Sequence, residues 1–503
     1  MSFSNALAIA SSRPTDVAAL EQLASAALDA GEEDRALPLL ARAVAQRQSA
    51  RLWQWKGLLE RALDEHEDAL VSLSEAARLD PQDASIAHGL ARTALEAGVP
   101  AETLFERARA LAPVDGSVLI GLGAARAAAG HGEEGAQELE AILAQVPLWL
   151  DGQLQLAQLR STLGAGPRAV DAVERALAAT PQQPQLWQLL FDLHAKREDF
   201  AALLAAVERS KQAGAPRALT RVFEAVASGE LGITEQADRL YAEVEAAGGA
   251  GIAMWRVRHL LRSGRPEEAK PIIDAELGGP GAAVTWPYAA AAWRMTGDPR
   301  SDWLEGASKL VSVVDLAPDL PPIEQLAAAL RALHIAKGEY LDQSVRGGTQ
   351  TDGPLFSRVD PVIRALRSAV VRAVEKHVAQ LPPADPRHPL LGPRRDRRIR
   401  FAGSWSVRLR DSGFHTSHVH PQGWISSALY VALPEEKPGG DPHAGWLQLG
   451  APPADLRTGL EPLRLIKPEP GKLVLFPSWM WHGTVPFPAG ERLTVAFDVA
   501  PPR

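Results

Sequence analysis

Cysteine is missing from this chain, although it is 503 residues long. Its absence excludes a disulfide framework, a thiolate metal site, an iron–sulfur cluster and a cysteine nucleophile. Any metal ion must therefore be bound by nitrogen or oxygen ligands.

Long apolar runs and a net positive charge are also missing. No run of about 18 apolar residues occurs, and residues 1–15 lack the basic and apolar blocks of a secretory signal. The formal net charge of −8 gives no general attraction to nucleic acid or to an anionic membrane. We therefore expect a soluble, cytoplasmic protein that binds neither.

The first half of the chain is a helical repeat array, which we place at residues 16–300 after a tail at residues 1–15. Ala/Leu-rich helices end at prolines 32, 34 and 34 residues apart, and glycines mark the turn within each unit. These positions are Pro81, Pro113, Pro147 and Pro181, and Gly98, Gly130, Gly164, Gly232, Gly264 and Gly297. Two helices per unit of about 34 residues resemble tetratricopeptide repeats. We predict seven to eight units.

Some units depart from this pattern. Asp64-Glu-His66 and Lys196-Arg-Glu198 stand where a turn glycine is expected. Stacked helix pairs of this kind usually offer a concave surface to a protein or peptide, which we expect here too. The alternative is a spacer or a dimerisation arm, in which case the protein would be a homodimer.

Residues 301–400 are predicted to connect and support a second domain. A proline-rich boundary ends at Pro322, and amphipathic patterns predict helices from Ile323 to Lys337 and from Pro361 to Leu381. Between them we predict a polar loop at residues 343–351, which is either a plain connection or places Arg346, Thr349 and Gln350 against a ligand. A basic cluster follows, either as a solvated face or to capture an acidic substrate: Arg394, Arg395, Arg397, Arg398 and Arg400.

From Phe401 the sequence pattern changes from Ala/Leu-rich helices to short predicted strands. These are rich in Val, Trp, Leu and Phe and are separated by Pro/Gly turns. Several short antiparallel strands within about 100 residues fit a double-stranded β-helix, a jelly-roll barrel, at residues 401–503. The strand candidates are Ser404 to Leu409, Trp424 to Leu433, Gly445 to Leu449, Leu463 to Ile466, Lys472 to Phe476 and Arg492 to Val499.

Three histidines in this domain predict one mononuclear metal site. His418 and His420 are two residues apart, so on a strand both imidazoles would leave the same face. His482 would complete the set from a distant strand. His415 competes for the first position. A single buried histidine is more often a satisfied core residue than a ligand, but three at this spacing together with Arg492 favour a metal site.

The same residues carry a family resemblance. The motifs are the His418-Val-His420 pair, the Pro477-x-x-x-x-His482-Gly turn, Arg492 ten residues later and Thr494 two further on. They resemble the iron(II)/2-oxoglutarate-dependent oxygenases, and more narrowly a bacterial 2OG-Fe(II) oxygenase branch that is often fused to tetratricopeptide repeats. The likeness is loose over the whole chain and close over residues 340–503.

The resemblance implies Fe(II) and 2-oxoglutarate as cofactors. It makes His418, His420 and His482 the iron ligands, and Arg492 the partner of the distal carboxylate of 2-oxoglutarate. Thr494, Arg408 and Ser427 would also bind this cosubstrate. The expected reaction couples decarboxylation of 2-oxoglutarate to hydroxylation of a C–H bond by dioxygen.

One departure from the family pattern is chemical. The common facial triad has two histidines and one carboxylate, whereas the second position here is His420. Three neutral ligands are also found in cupin-type dioxygenases that use no oxoacid. Arg492 favours 2-oxoglutarate, because a buried arginine in a barrel needs an anion.

Three functional hypotheses remain at this stage. The first is an Fe(II)/2-oxoglutarate hydroxylase acting on a protein or peptide side chain recruited by the repeats. The second is a repeat-based binding protein with a catalytically silent metal-binding barrel. The third is a small-molecule tailoring dioxygenase in which the array only dimerises. Four indoles either line the pocket or form barrel core: Trp405, Trp424, Trp479 and Trp481.

Overall fold

The structure is a computed structural model that describes residues 1–249, 251–338, 340–341, 345–435 and 441–502. Helices α1 to α18 make up the N-terminal part of the chain. They are Phe3–Ser12, Val17–Ala30, Glu33–Gln46, Ala50–Ala62, His66–Leu79, Ala84–Glu96, Glu102–Leu111, Gly116–Ala128, Gly132–Gln145, Leu150–Thr162, Asp171–Ala179, Pro184–Lys196, Phe200–Gln212, Arg217–Glu230, Thr234–Ala246, Ala253–Arg262, Pro266–Leu277 and Ala282–Thr296. None of the helices in the described ranges has the length and apolarity needed to cross a membrane.

Helices α2 to α17 form eight antiparallel hairpins, so the predicted tetratricopeptide-like array is confirmed. The predicted tail is itself mostly helical, because α1 buries Phe3, Ala6 and Ala10 against the first hairpin. Several hairpins begin at a side-chain cap. Asp16, Asp83 and Asp115 each accept hydrogen bonds from the backbone N–H groups two and three residues later.

The turns between the two helices of each hairpin need a left-handed residue, and glycine adopts this conformation without a steric cost. The repeating glycines noted in the sequence all have positive φ in the structure. At the two irregular units the same conformation falls on acidic residues, with φ 60° at Asp64 and 57° at Glu198. The turn therefore keeps its position and its conformation in these two units, although the glycine is replaced.

The connecting region contributes both helices and strands. Helices α19, α20 and α21 span Arg300–Glu305, Ile323–Leu333 and Pro361–Gln380, and strands β1 and β2 span Ser312–Asp315 and Val345–Gln350. The predicted loop at residues 343–351 is therefore wrong in its described part, because Val345 to Gln350 pair with the following strand. Gln343 and Ser344 lie outside the described residues.

Seven further strands complete the C-terminal domain: β3 (Phe401–His415), β4 (Ile425–Ala432), β5 (Leu447–Leu449), β6 (Arg464–Ile466), β7 (Lys472–Pro477), β8 (His482–Thr484) and β9 (Glu491–Val499). One sheet has the order β1-β7-β4-β9-β3-β2 and the other β6-β5-β8, with antiparallel pairing throughout. The predicted fold class, a repeat array followed by a double-stranded β-helix, is confirmed.

The array and the barrel share one apolar core at the C-terminal end of the array. This core continues from Leu261 and Trp293 through Leu330 to Leu429 and Phe497. Packing is therefore continuous across the boundary that we predicted near residue 300.

The turns of successive hairpins line one edge of the array, and this edge contacts the C-terminal half of the chain. In the first two hairpins, Glu32, Glu33 and Glu65 pair with Arg397, Arg400 and Arg398. Most of the basic cluster therefore forms ion pairs within the molecule. Neither of the two interpretations from sequence, a solvated face or a site for an acidic substrate, included this outcome.

Later turns continue the same contact. The carbonyl oxygens of Ala97 and Thr162 accept hydrogen bonds from the backbone N–H groups of Val359 and Lys337, at 3.0 Å and 2.8 Å. Near the end of the array, the indole N–H of Trp481 donates to the carbonyl oxygen of Pro287 at 3.0 Å. The array therefore runs along the C-terminal half instead of projecting from it.

Candidate metal centre

His418 and His420 lie in an extended segment directly after β3, not on a strand as predicted. His418 forms an isolated antiparallel bridge with His482, in which each backbone N–H donates to the other carbonyl oxygen at 3.0 Å. The backbone N–H of His420 donates to the carbonyl oxygen of Ser478 at 2.9 Å. Because the segment is extended and these two residues bond to neighbouring backbone, the side chains of His418 and His420 leave the same face, as they would on a strand.

The three imidazoles meet on one side of a cavity between the two sheets. One ring nitrogen from each of His418, His420 and His482 lies within 4.8 Å of the other two. No other group of this kind is found in the part of the chain that the structure describes. His415 also lines the cavity, with its ring centroid 5.8 Å from that of His418, but it is not a member of the group.

Two of the three rings have a hydrogen-bond acceptor at Nδ1. The acceptor is the carbonyl oxygen of Thr416 for His418, at 2.8 Å, and that of Met480 for His482, at 3.0 Å. In the third ring, Nδ1 of His420 lies at an ion-pair distance of 2.8 Å from a carboxylate oxygen of Asp498. A ring that donates from Nδ1 keeps its lone pair on Nε2. The Nε2 atoms are thus the candidate donors, a set that suits a first-row transition metal.

The electrostatics of the cavity favour neutral imidazoles. Burial, and then the neighbouring His420, lower the pKa of His418 to about 3. Burial also lowers the pKa of His482 well below its usual value, with His418 as the next cause. Because a metal ligand must be deprotonated, these residues need lose no proton at neutral pH before they bind an ion.

Arg492 faces the same cavity from β9 and is 2% exposed. Its guanidinium carbon lies 5.2 Å from the ring centroid of Tyr430, and burial lowers its pKa. Among the described residues no carboxylate pairs with it and its Nε atom has no hydrogen-bond partner. A buried, unpaired guanidinium is costly unless an anion binds there.

The remaining predicted cosubstrate residues divide into two groups. Thr494 and Ser427 line the cavity, although the hydroxyl of Ser427 bonds to the backbone of Phe497. Arg408 is not brought to the cavity, because neighbouring residues on a strand face opposite sides. It pairs instead with Glu491 at 2.5 Å.

The residues that we associated with the predicted loop also separate. Gln350 lines the cavity, and its buried Oε1 atom has no hydrogen-bond partner among the described residues. Thr349 bonds to His334, and Arg346 pairs with Glu198 of the array. Placing this segment on β2 explains the division, since Thr349 and Gln350 point to opposite faces.

The four indoles divide in a similar way. Trp405 lines the inner cavity and stacks on His420 with ring centroids 5.4 Å apart. Trp424 and Trp479 belong to the shared core, and Trp481 faces a second, outer cleft. Trp405 is thus the indole of this set that can shield a metal from solvent.

Asp498 is a cavity residue that the sequence analysis missed. It is 7% exposed and is the acidic side chain among the described residues that line the cavity. A signal existed, since Arg492, Thr494, Ala496 and Asp498 alternate along β9 and all face the cavity. Asp498 lies four residues beyond Thr494, outside the recognisable motif.

The outer cleft has a volume of about 1040 Å³ and connects to the inner cavity. His415, His418 and Thr484 line both spaces. One wall comes from the barrel, including the segment from Ala451 to Pro462. The other comes from the last repeats and consists of Glu198, Phe200, Glu230, Arg258, Arg262 and Tyr288.

Residues 403–498 match the model of a protein family described as "Putative 2OG-Fe(II) oxygenase". The resemblance inferred from the histidine and arginine motifs is thereby confirmed for the C-terminal domain, which is of the 2OG-Fe(II) oxygenase type. No relative among curated proteins matches the sequence.

Several solved structures are similar to parts of the chain. A tetratricopeptide repeat protein from Parabacteroides merdae ATCC 43184 is 14% identical, with a TM-score of 0.31, and the match covers 42% of this chain and 85% of that one. YrrB, a TPR protein with an unusual peptide-binding site, is 17% identical, with a TM-score of 0.29 and coverage of 37% and 95%. A Pseudomonas putida prolyl-4-hydroxylase is 20% identical, with a TM-score of 0.25 and coverage of 42% and 98%.

Proposed function

We propose that this protein is an Fe(II)- and 2-oxoglutarate-dependent oxygenase that hydroxylates a side chain of a protein or peptide held between its repeat array and its barrel. One observation carries the proposal. Three imidazoles, with ring nitrogens within 4.8 Å of one another, meet on one side of a cavity whose wall also holds the buried guanidinium of Arg492, which has no acidic partner among the described residues.

The residues present fit both cofactors. Nitrogen donors suit Fe(II), and His418, His420 and His482 would hold it. A guanidinium without an acidic partner suits the distal carboxylate of 2-oxoglutarate, which Arg492 would bind, with the hydroxyl of Thr494 beside it. When bound together, iron and 2-oxoglutarate would supply an oxidation by dioxygen: 2-oxoglutarate loses carbon dioxide and takes up one oxygen atom to become succinate, and the other oxygen atom converts a substrate C–H bond into C–OH.

The protein contributes position and exclusion of water. Hydrogen bonds at Nδ1 fix the rings of His418 and His482, and the Asp498 carboxylate lies against Nδ1 of His420, so that the ligand atoms are arranged before a metal binds. Arg492 is held over the ring of Tyr430, and its guanidinium would orient the cosubstrate. Trp405 and Phe476 pack against His420 and His482 and cover the metal side of the cavity. A dry, preformed site of this kind limits side reactions of the oxidant.

The outer cleft supports a macromolecular substrate. It lies at the upper end of the size range of small-molecule pockets and leads directly to His418. One of its walls belongs to the array, so the array would hold the substrate beside the oxidising site. Phe200 and Tyr288 offer aromatic surface, while Glu230 neutralises the arginines beside them. A peptide with apolar side chains fits such a wall better than a strongly charged one.

Cosubstrate turnover tests the oxygenase. Purified protein supplied with Fe(II), 2-oxoglutarate and dioxygen should form succinate, and His482→Ala should abolish this. Cell lysate treated with the wild type should gain proteins carrying one added oxygen atom only when 2-oxoglutarate is present. Succinate formation by the wild type at the level of His482→Ala would refute the oxygenase and favour a binding protein with a silent barrel.

A cleft variant tests the role of the array. Phe200→Ala should raise the KM for the protein substrate while the KM for 2-oxoglutarate stays the same. Phe223→Ala is a suitable control, because Phe223 packs inside the array beside Phe191 and does not line the cleft. Equal substrate KM values for Phe200→Ala and the wild type would place the substrate elsewhere.

A further inference from the structure

The three candidate ligands carry less negative charge than the common triad of metal ligands. A triad of two histidines and one carboxylate places one negative charge on the metal. Here all three candidate ligands are neutral imidazoles, so a bound dication would keep its full charge in a buried cavity. Asp498 is the acidic group among the described residues that line this cavity.

Asp498 contacts one of the three histidines directly. Its Oδ2 atom lies 2.8 Å from Nδ1 of His420, whereas the other two imidazoles donate to neutral backbone carbonyl groups. His420 occupies the sequence position where the common triad has its carboxylate. The anion missing from that position is therefore present in the next layer, 2.8 Å from the His420 ring.

The second oxygen of the same carboxylate is also engaged. The hydroxyl of Ser426 donates to Oδ1 of Asp498 at 2.5 Å and lies 3.0 Å from the hydroxyl of Ser478. Gly423 leaves the space for this arrangement, because a Cβ atom there would lie 2.5 Å from Ser478 and 3.1 Å from Asp498. With both oxygens fixed, Asp498 cannot turn to replace His420 as a ligand without breaking these bonds.

We propose that Asp498 is a positioning residue that orients His420 for metal binding and supplies, through the His420 ring, the negative charge that the three-histidine set lacks. The inference rests on the proposed function, since it assumes that His420 binds the metal. A carboxylate placed against the far ring nitrogen of a ligating histidine orients the ring and raises its basicity as a ligand. The two carbonyl acceptors fix their rings but add no charge.

Two substitutions separate geometry from charge. Asp498→Asn keeps the size and one acceptor oxygen but removes the charge, and Asp498→Ala removes both. We expect Co(II) affinity, measured by isothermal titration calorimetry, to fall about tenfold for Asp498→Asn and up to about 100-fold for Asp498→Ala. The visible absorption spectrum of bound Co(II) should shift in both variants, because His420 is reoriented or becomes a weaker donor.

Glu491→Gln is the matched control. Glu491 lies on the same strand but on the opposite face, where it pairs with Arg331 and Arg408. Its loss changes the charge of β9 without touching the cavity, so Co(II) affinity and spectrum should remain those of the wild type.

A cycle with His420→Ala covers the case in which Asp498→Ala folds poorly. In a His420→Ala background, Asp498→Asn should no longer change Co(II) affinity, because its effect passes through that ring. Wild-type affinity and spectrum in Asp498→Asn would overturn the inference while leaving the oxygenase proposal intact. Failure of the wild type itself to bind Co(II) or to form succinate would instead refute the proposed function.

Discussion

Glu198 adopts a left-handed conformation, with φ 57°, in a turn where most repeats have glycine, and its carboxylate lies 3.0 Å from the guanidinium of Arg346 on β2. Asp64, the acid at the other irregular turn, faces Arg367 of α21 at 3.8 Å. Both departures from the repeat pattern therefore occur where the turn contacts the C-terminal half. At these two turns an ion pair with the C-terminal half offsets part of the backbone cost of a non-glycine residue.

A double-mutant cycle between Glu198 and Arg346 tests this relationship. The left-handed conformation costs a non-glycine residue about 1–2 kcal/mol, whereas a partly exposed ion pair contributes about 0.2–1 kcal/mol. Glu198→Gly should therefore raise the free energy of unfolding slightly, and Arg346→Ala should lower it. The coupling energy from urea unfolding should be about 0.2–1 kcal/mol and should shrink in high salt.

The reverse change provides the control. Gly232 occupies the equivalent turn of the next hairpin, with φ 75° and open space around it. Gly232→Glu should lower the free energy of unfolding by about 1–2 kcal/mol, because it adds the backbone cost alone. A zero coupling energy between Glu198 and Arg346 at low salt would mean that the acid at this turn has no role in docking.

The irregular turns mark a limit of prediction from sequence: the repeats could be predicted, but the role of the acidic residues in two of their turns could not. Periodic prolines and glycines predict the array well, because each hairpin depends on contacts within about 34 residues. The acids at positions 64 and 198 read as defects from sequence alone, since their arginine partners lie more than 140 residues away in the chain. Such pairs depend on how two regions dock, which no local pattern encodes.

Only part of the candidate site could be predicted from sequence, because some of its residues reach the cavity through long-range strand pairing. The histidines and Arg492 stand in a recognisable motif, whereas Asp498 and Gln350 reach the cavity only through strand pairing. β2 lacks an apolar alternation and contains two glycines, so its sequence favours a loop. It becomes a strand because β3 offers it an unpaired edge.

Arg492→Met should separate stability from cosubstrate binding. A buried guanidinium without an anion is unfavourable, so its replacement by an apolar side chain of similar length should raise the unfolding free energy of the ligand-free protein by about 1 kcal/mol or more. The same variant should lose the thermal stabilisation that 2-oxoglutarate gives to the zinc-loaded wild type. Differential scanning fluorimetry, with and without 2-oxoglutarate, measures both effects.

Arg408→Met is the control for this prediction. Arg408 lies on the opposite face of β3 and pairs with Glu491, so its loss should reduce stability without removing the response to 2-oxoglutarate. If Arg408→Met abolished that response and Arg492→Met kept it, the assignment of the cosubstrate site to this cavity would be wrong.

Stability should fall in mildly acidic solution because buried histidines resist protonation. Burial lowers the pKa of His377 from 6.5 to about 4, while its Nδ1 atom lies 2.7 Å from the hydroxyl of Ser312. A base with a lowered folded-state pKa binds fewer protons folded than unfolded between these values, so stability is full above pH 6.5 and is lost as the pH falls towards 4. At pH 5 this one residue costs about 2 kcal/mol relative to pH 7.

His377→Asn isolates that contribution. Urea unfolding at pH 7 and pH 5 should show a smaller loss of stability on acidification for the variant than for the wild type. His131→Asn, at an exposed histidine paired with Glu102, serves as the matched substitution. An identical loss for His377→Asn and the wild type would show that His377 is not the source.

The ion network at the outer cleft should fix the wall that the substrate contacts. Arg262 donates to the carbonyl oxygen of Gly229 and to the carboxylates of Glu230 and Asp455, and it is one of the most buried cations of the array. Removing it leaves Glu230, whose side chain is 2% exposed, with Arg258 as its remaining cationic partner. Breaking a buried pair in this way typically costs about 3–5 kcal/mol.

Arg262→Ala should therefore lower stability by a few kcal/mol and also release the barrel segment around Asp455, which the network ties to helix α16. Limited proteolysis should then cut at Arg457, an exposed residue in that segment, faster than in the wild type. Arg256→Ala is the matched change on the same helix, because its partner Glu245 is 63% exposed and the pair contributes at most about 1 kcal/mol. Unchanged proteolysis at Arg457 in Arg262→Ala would mean that this segment is held by the barrel alone, and the array would then shape the cleft only by its own side chains.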